Sequence, residues 1–527
     1  MFAFALLIGI YSYLIFSLGL LGLLYKSHIL FVTVLYTFII FFIFRKKKVK
    51  VTLGRGLTKL LFFIFLFQAL INLIGVLGPE LSFDALWYHL TLPKIFLENH
   101  SIFYIPGGLL YYSVMPKLTE MLYLPALAFS NELTAKFIHF TFGILTSYVI
   151  YKVSRKFFDH KFSLLAVIIF YGNLVVAWES IASYIDLSRT FFEAMALWGF
   201  LNWFEKKERK WLLESAVMLG LAVSTKLLAI GSIFIFSALI IYSLFKKHNL
   251  SLRLFLDLLI YWFVSVLIAL PWFVFAFINT GNPVYPLFTK TIDVGFGQNL
   301  LNFSRFSSDI LTMFTRLSDP ISPLYIIFLP IALVLFKGFK QELKVVLLYC
   351  FLAILVWYLT PRTGGGRFIL PYLPAFSIAA VAVINRIKKG HLQKICISLV
   401  IFFSFFSIIY RGLANAKYFP VIIGKESKNE FLSKNLNFNY GDFYDTDNYF
   451  NNNIKQTDKI LLYGFHNLYY VNFPFIDSSW VKRGDRFNYI ATQNSGLPDR
   501  FRFWGLIYQN RLTNVKLYSI GGQKWVY

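Results

Sequence analysis

Polar and apolar positions along this chain segregate into blocks. Thirteen apolar runs stand out, at about 2–24, 28–44, 60–78, 134–151, 162–178, 187–204, 211–225, 228–245, 255–278, 323–336, 343–360, 368–385 and 395–410. A helix needs about 20 apolar residues to cross a bilayer, so the pattern predicts a polytopic α-helical membrane protein of about thirteen spans. The first run lacks a basic leading stretch and a small-residue cleavage site, and reads as a retained span.

Two long connections interrupt the runs, at 79–133 and 279–322. In the first, Leu90–His100 and Lys117–Ser130 are short amphipathic stretches separated by SIFYIPGGLLYYSVMP, whose Pro and Gly break any longer helix. They are expected to lie in the membrane interface with their aromatic residues down, as a shelf beside the bilayer. The second opens on a Pro-pinned turn, TGNPVYPLF, followed by a polar stretch with short helical potential. From Gly412 onward no spanning run occurs. GKESKNEFLSKNL reads as a helix, and KILLYGF and VKLYSIGGQKWVY as strands, which predicts a small α/β domain. Three regions follow: 1–59 with two extra spans and a basic loop, 60–411 as the membrane domain, and 412–527.

Charge orients the pattern. The connections around 44–59, 152–161, 205–210, 245–253, 337–344 and 385–394 together hold 25 Lys and Arg, whereas the opposite short connections hold only Lys26, Lys226, Arg362 and Arg367. Basic loops stay cytoplasmic, so the N-terminus is assigned to the cytoplasm, and both long loops and the C-terminal region to the extracytoplasmic face of the inner (plasma) membrane. The net charge of +25 over 527 residues is thereby a topology signal, and nucleic acid is excluded as a partner. With 57% hydrophobic and 15% charged residues the chain is too apolar for a soluble globular protein. Cys350 and Cys396 both lie in apolar runs and support neither a disulfide nor a metal site.

Candidate chemistry gathers on the outer face. Asp84, in GPELSFDALWYHLTLPK, follows the third span by about one helical turn, where a carboxylate serves as general base or only solvates a helix end. Asp186, in SYIDLSRT, repeats the placement; its spacing to Arg189 also allows a surface ion pair. Glu80 and Glu120 read as ordinary loop solvation. His89 is five residues from Asp84, off the spacing for a dyad, and is retained with Trp87 and Tyr88 as a lining residue. In TPRTGGGRFILP, three glycines permit close approach to a ligand, and Arg362 and Arg367 supply guanidinium forks suited to a lipid phosphate. Lys226, in GLAVSTKLLAI, is a further cation for the same phosphate or a snorkelling side chain. No HExxH, cysteine cluster or Walker loop occurs, which removes zinc-hydrolase and ATPase readings.

In order, FDALWYHLTLPKIFLENHSIFYIP, SYIDLSRTFFEAMALW, GLAVSTKLLAI, TGNPVYPLF, GGGRFILPYLPAFSIAAV and FPVIIGKESKNEFL resemble the GT-C superfamily of integral-membrane glycosyltransferases. The nearest likeness is to bacterial members akin to protein O-mannosyltransferases and the aminoarabinose transferase of lipid A, over residues 60–527. The resemblance implies transfer of a sugar from a polyprenyl-phosphate donor to an envelope acceptor, usually with inversion. Asp84 corresponds to the first-loop acid that deprotonates or orients the acceptor, and Asp186 is the candidate second acid. The paired acidic motif of some members is missing, because Phe83 and Ala85 flank Asp84, which argues against metal use without removing a divalent metal from the alternatives, and no other cofactor is implied. Two other readings stay open: a flippase or exporter of envelope lipids, and an enzyme of the O-antigen ligase or polymerase type. The first requires a polar path through the spans, where Asp257 is the main ionisable residue, and the second a large loop late in the membrane domain.

Overall fold

The computed structural model describes residues 1–45, 54–245, 252–289, 303–361, 365–387, 390–521 and 524–527. Each of the thirteen apolar runs holds a helix. Among the described residues, seven helices are long and apolar enough to cross a membrane: Phe2–Leu20, Lys26–Phe44, Leu57–Val76, Glu132–Ser154, Phe255–Thr280, Gln341–Leu359 and His391–Ile422. The expected count of thirteen therefore exceeds what length and composition support. The runs at His160–Tyr171 and Leu324–Val334 form shorter helices, and Asp186–Lys206 carries charge. Phe31, Phe41, Phe263 and Phe402 point away from the protein, as side chains facing lipid tails do.

Asp186–Lys206 is the central helix. It is buried all round from Asp186 to Trp203 except at the half-buried Trp198, packed between Glu132–Ser154 and Arg209–Thr225. A helix so enclosed is normally apolar throughout. This one carries Arg189 and Glu193, four residues apart and joined at 2.7 Å. Glu193 also accepts from Ser232 at 2.6 Å, and Arg189 donates to Tyr372 at 3.2 Å, so both buried charges are satisfied. This overturns two expectations. Arg189 pairs with Glu193 and leaves Asp186 to other partners, and Asp257 is not the main ionisable residue within the spans; it accepts from Arg209 at 3.2 Å.

The first long loop folds as Thr91–Glu98 and Glu120–Phe129, close to the predicted stretches. Its aromatic side, with Tyr88 and Phe96, joins a core that contains Phe16 and Trp272 from the spans. That core continues into the C-terminal unit, whose strands are β1 (Ile460–Tyr463), β2 (Phe475–Asp477), β3 (Arg486–Phe487), β4 (Tyr489–Gln493), β5 (Gly505–Asn510), β6 (Val515–Ser519) and β7 (Trp525–Val526). The main sheet runs β2-β1-β4-β6-β5, with β1 parallel to β2 and β4, and β6 antiparallel to β4 and β5; β3 and β7 form a separate antiparallel pair.

Alternation along β1 separates its two faces. Ile460 and Leu462 turn toward the first-loop core, and Leu461 toward Phe487, Phe501 and Trp504. Polar contacts hold the unit in place. The Tyr469 amide donates to the Leu86 carbonyl at 3.2 Å, Tyr470 to the Glu80 carbonyl at 2.9 Å, and Lys428 to Glu132 at 2.5 Å. Gly107, at φ +94°, lies so near β2 that a Cβ there would sit 2.0 Å from the Ser479 carbonyl oxygen.

Candidate active site

Four separate segments converge beneath the C-terminal unit. Asp84 opens a wide helical turn, Ala85–His89, that places Tyr88 back over it; the Tyr88 hydroxyl donates to Asp84 Oδ2 at 3.1 Å. Asp186 sits in the first turn of the central helix, where the dipole favours an acid. That helix end is fixed by His139. The Leu187 amide donates to His139 Nε2 at 3.0 Å, so Nδ1 carries the proton, and it donates to the carbonyls of Ala182 at 2.8 Å and Glu179 at 3.0 Å. Lys226 occupies the extended break between helix Arg209–Thr225 and the turn at Leu227–Ala229. Arg367 follows the glycine loop.

Arg367 is the centre of the cluster. Nη1 donates to Asp84 Oδ2 at 2.5 Å and Nε to Asp186 Oδ2 at 3.0 Å, while Glu179 Oε1 lies 3.3 Å from Nε. The guanidinium stacks over the Tyr184 ring at 4.2 Å. Lys226 Nζ takes the other oxygen of Asp186 at 2.6 Å. The residue before Arg367 fits only as glycine, because a Cβ on Gly366 would lie 2.5 Å from the Asp319 carbonyl oxygen. Asp319 binds Arg316 at 2.5 and 2.7 Å and receives the Arg367 amide at 3.2 Å, so the loop that carries Arg367 is pinned to 316–321.

The three acids differ in access. Asp84 is 20% exposed, Asp186 2% and Glu179 0%. Burial alone would raise the Asp84 carboxyl, but the Arg367 guanidinium, with His89 and Lys226, holds it below the usual carboxylate range. At Asp186 burial also works upward, and Arg367 and Lys226 outweigh it, leaving the group ionised. Glu179 goes the other way. Burial and then the Asp186 charge push it well above the ordinary value, and neither of its oxygens accepts a hydrogen bond from the described residues. Two carboxylates, Asp84 and Asp186, thus face the two cations Arg367 and Lys226, while the surroundings of Glu179 favour its neutral form. Among the described residues no group of three His, Cys, Asp or Glu is arranged to hold a metal ion.

Of the residues singled out from the sequence, Asp84, Asp186, Arg367, Lys226 and Tyr88 come together. Arg362 lies outside the described residues. Trp87 is one face away, its Nε1 donating to the Leu109 carbonyl at 2.9 Å. His89 is buried behind the cluster, with Nδ1 2.9 Å from Glu120 Oε1. Glu80 and Glu120 do not solvate the loop, for both are 1% exposed. Glu80 accepts from the amides of Leu81, Ser82 and Ser183 at 3.0, 2.9 and 2.6 Å, and Glu120 is 3.8 Å from Lys117 as well as bonded to His89. Tyr184, His139 and Asp319 were not singled out, and nothing in their local sequence distinguishes them. Glu179 is marked in the sequence only by its place shortly before Asp186.

Comparison with known proteins follows the same lines. The family model described as dolichyl-phosphate-mannose-protein mannosyltransferase matches residues 122–275, a stretch that includes Glu179, Asp186 and Lys226. Among solved structures, ArnT from Cupriavidus metallidurans bound to undecaprenyl phosphate is 11% identical at a TM-score of 0.57, covering 87% of this chain and 97% of that one. The apo form of the same protein is 10% identical at a TM-score of 0.55, with the same coverage. Comparison with curated proteins finds no match. The chain thus shares its overall fold with ArnT, and it has many apolar helices and a small C-terminal β-sheet unit.

Proposed function

We propose that this protein transfers a sugar from a polyprenyl-phosphate-linked donor to an envelope acceptor, on the extracytoplasmic face of the inner membrane, with inversion at the anomeric carbon. The observation that carries the reading is the single guanidinium of Arg367 shared by Asp84 and Asp186, with Lys226 on the second oxygen of Asp186. An acid next to paired cations, at the junction of membrane and surface domain, suits a reaction whose leaving group is a phosphate. The basic connections on the opposite side support the orientation.

In this reading Arg367 and Lys226 hold the donor phosphate, and Asp186 sets their positions from below. The acceptor hydroxyl oxygen attacks the anomeric carbon from the face opposite the phosphate. The carbon–oxygen bond to phosphate breaks with its electron pair on the phosphate oxygen, and the hydroxyl proton passes to Asp84, the most accessible of the three acids. Arg367 links the two events. A phosphate that draws on the guanidinium loosens its hold on Asp84, and burial then raises the basicity of that carboxylate as it takes the proton.

The test is Asp84→Asn in the full-length protein, supplied with an undecaprenyl-phosphate sugar and envelope membranes. Transfer is expected to fall on the order of 10²–10⁴-fold with membrane insertion intact. Full transfer by that variant would overturn the assignment of Asp84.

A further inference from the structure

The helical turn that carries Asp84 has a second face. Phe83 and Trp87 lie four residues apart, as do Asp84 and Tyr88, so the two pairs occupy neighbouring sides of one turn. On the Phe83–Trp87 side stands a ring from the C-terminal unit. His466 stacks on Phe83 at 4.8 Å and 28°, and meets Trp87 at 4.3 Å with the rings tilted by 52°. Tyr112 closes the row, 5.0 Å from Trp87 and stacked on Tyr88 at 3.9 Å and 9°. A continuous wall of rings therefore runs from the C-terminal unit to the side chain that touches Asp84.

His466 is held there by its own loop. It follows β1, where Gly464 at φ +76° turns the chain back. The amides of His466 and Asn467 donate to the Gly441 carbonyl at 3.2 and 3.0 Å, Asn467 is tied to buried Asp442, and His466 Nδ1 lies 2.9 Å from Asn467 Oδ1. One ring nitrogen is thus fixed, and among the described residues Nε2 has no hydrogen-bond partner. The ring is only half-buried, and Phe83 is 38% exposed. A purely structural stack in a domain interface would be sealed, whereas this one keeps faces and a nitrogen open beside the candidate base.

We infer that His466, with Phe83 and Trp87, forms the acceptor subsite, and that the acceptor is a saccharide hydroxyl. This rests on the transfer reading above. A pyranose has a flat C–H face that an aromatic ring covers and a rim of hydroxyls that needs polar partners at its edge. The wall offers both, through its rings, through His466 Nε2, and through the hydroxyls of Tyr112 and of Tyr111, which stacks on Tyr112 at 4.1 Å and 28°. Because His466 comes from the C-terminal unit and Asp84 from the first loop, the acceptor would be gripped across the domain boundary, and the unit would select the acceptor as well as cover the site.

The experiment uses a strain lacking the gene, complemented with full-length protein, and mass spectrometry of envelope glycans, glycolipids and proteins for the added sugar. Undecaprenyl phosphate binding to each purified variant is measured by native mass spectrometry. The wild type is expected to restore the sugar on a saccharide. His466→Ala is expected to restore less than a tenth of it at equal membrane level, with undecaprenyl phosphate binding within twofold of wild type. If His466→Ala does not accumulate, His466→Phe, which keeps the ring stack and loses the nitrogen, is read in its place with the same expectation. Full restoration by the variant read, loss of its undecaprenyl phosphate binding, or a sugar restored on protein side chains would each overturn the inference. A wild type that restores no sugar anywhere would instead sink the transfer reading itself.

Discussion

Arg367 donates to Asp84 at 2.5 Å across 283 residues of sequence, and the same guanidinium reaches Asp186 at 3.0 Å. One side chain thereby sets the spacing between the first loop and the central helix, and in the proposed reaction it links the state of the phosphate to that of the base.

Arg367→Lys keeps the charge and loses the fork. A hydrogen bond to a charged group contributes about 1.5–3 kcal/mol, so affinity for undecaprenyl phosphate is expected to fall by roughly ten- to a hundredfold. Titration of the purified variant with undecaprenyl phosphate checks this, and unchanged affinity would remove Arg367 from the phosphate site.

The pH profile follows from Asp84. Its folded-state value is depressed, so the ionised form and the stability it contributes are present above the unfolded carboxylate value. Both are lost as pH falls through the lower folded value. The kcat/KM for transfer by the wild type, which reports the free enzyme, is expected to persist below about pH 4, near the ordinary Asp value. In Arg367→Gln, burial acts without its main counterweight and the acidic limb moves up. Residual activity against pH in the two proteins gives the comparison.

Glu179 carries the opposite sign. Its folded-state value is raised, so its own contribution to stability is fullest below the unfolded glutamate value of about 4.3 and is lost as pH rises toward the folded one. Glu179→Gln copies the protonated acid, and its thermal midpoint at pH 7 should equal or exceed that of wild type, with transfer retained. A marked drop in midpoint would mean that Glu179 works as a carboxylate.

Glu120 balances a buried amine. The side chains of Lys117 and Glu120 are both buried, 3.8 Å apart. Glu120→Ala strands the Lys117 charge, which costs roughly 3–5 kcal/mol when a buried pair is broken on one side. Lys117→Met combined with Glu120→Leu removes both charges and should recover most of the lost thermal midpoint. Equal losses in the single and double variants would argue that the packing of this corner matters more than its charge.

What the sequence by itself determined is what local chemistry controls. Apolar runs marked the positions of the helices, because each helix satisfies its own backbone within the segment. Pro and Gly marked the breaks in the first loop, and β1 and β6 were legible as short apolar strands. Asp84, Asp186, Arg367 and Lys226 stood out because ionisable groups at the ends of apolar runs are costly unless they are solvated, paired or used.

Only the tertiary structure decided which charges meet. Glu80 and Glu120 look like Asp84 in sequence, yet one receives three backbone amides and the other a buried lysine and histidine, whereas Asp84 keeps an open edge. Arg189 takes Glu193, and Asp186 is left for Arg367 and Lys226. Tyr184, His139 and Asp319 act by supporting residues far away in the chain, and His466 reaches the site only because one face of the small sheet packs on the first loop. Pairings of this kind depend on how helices and sheet stack, and stacking is a property of the whole chain, which local pattern does not encode.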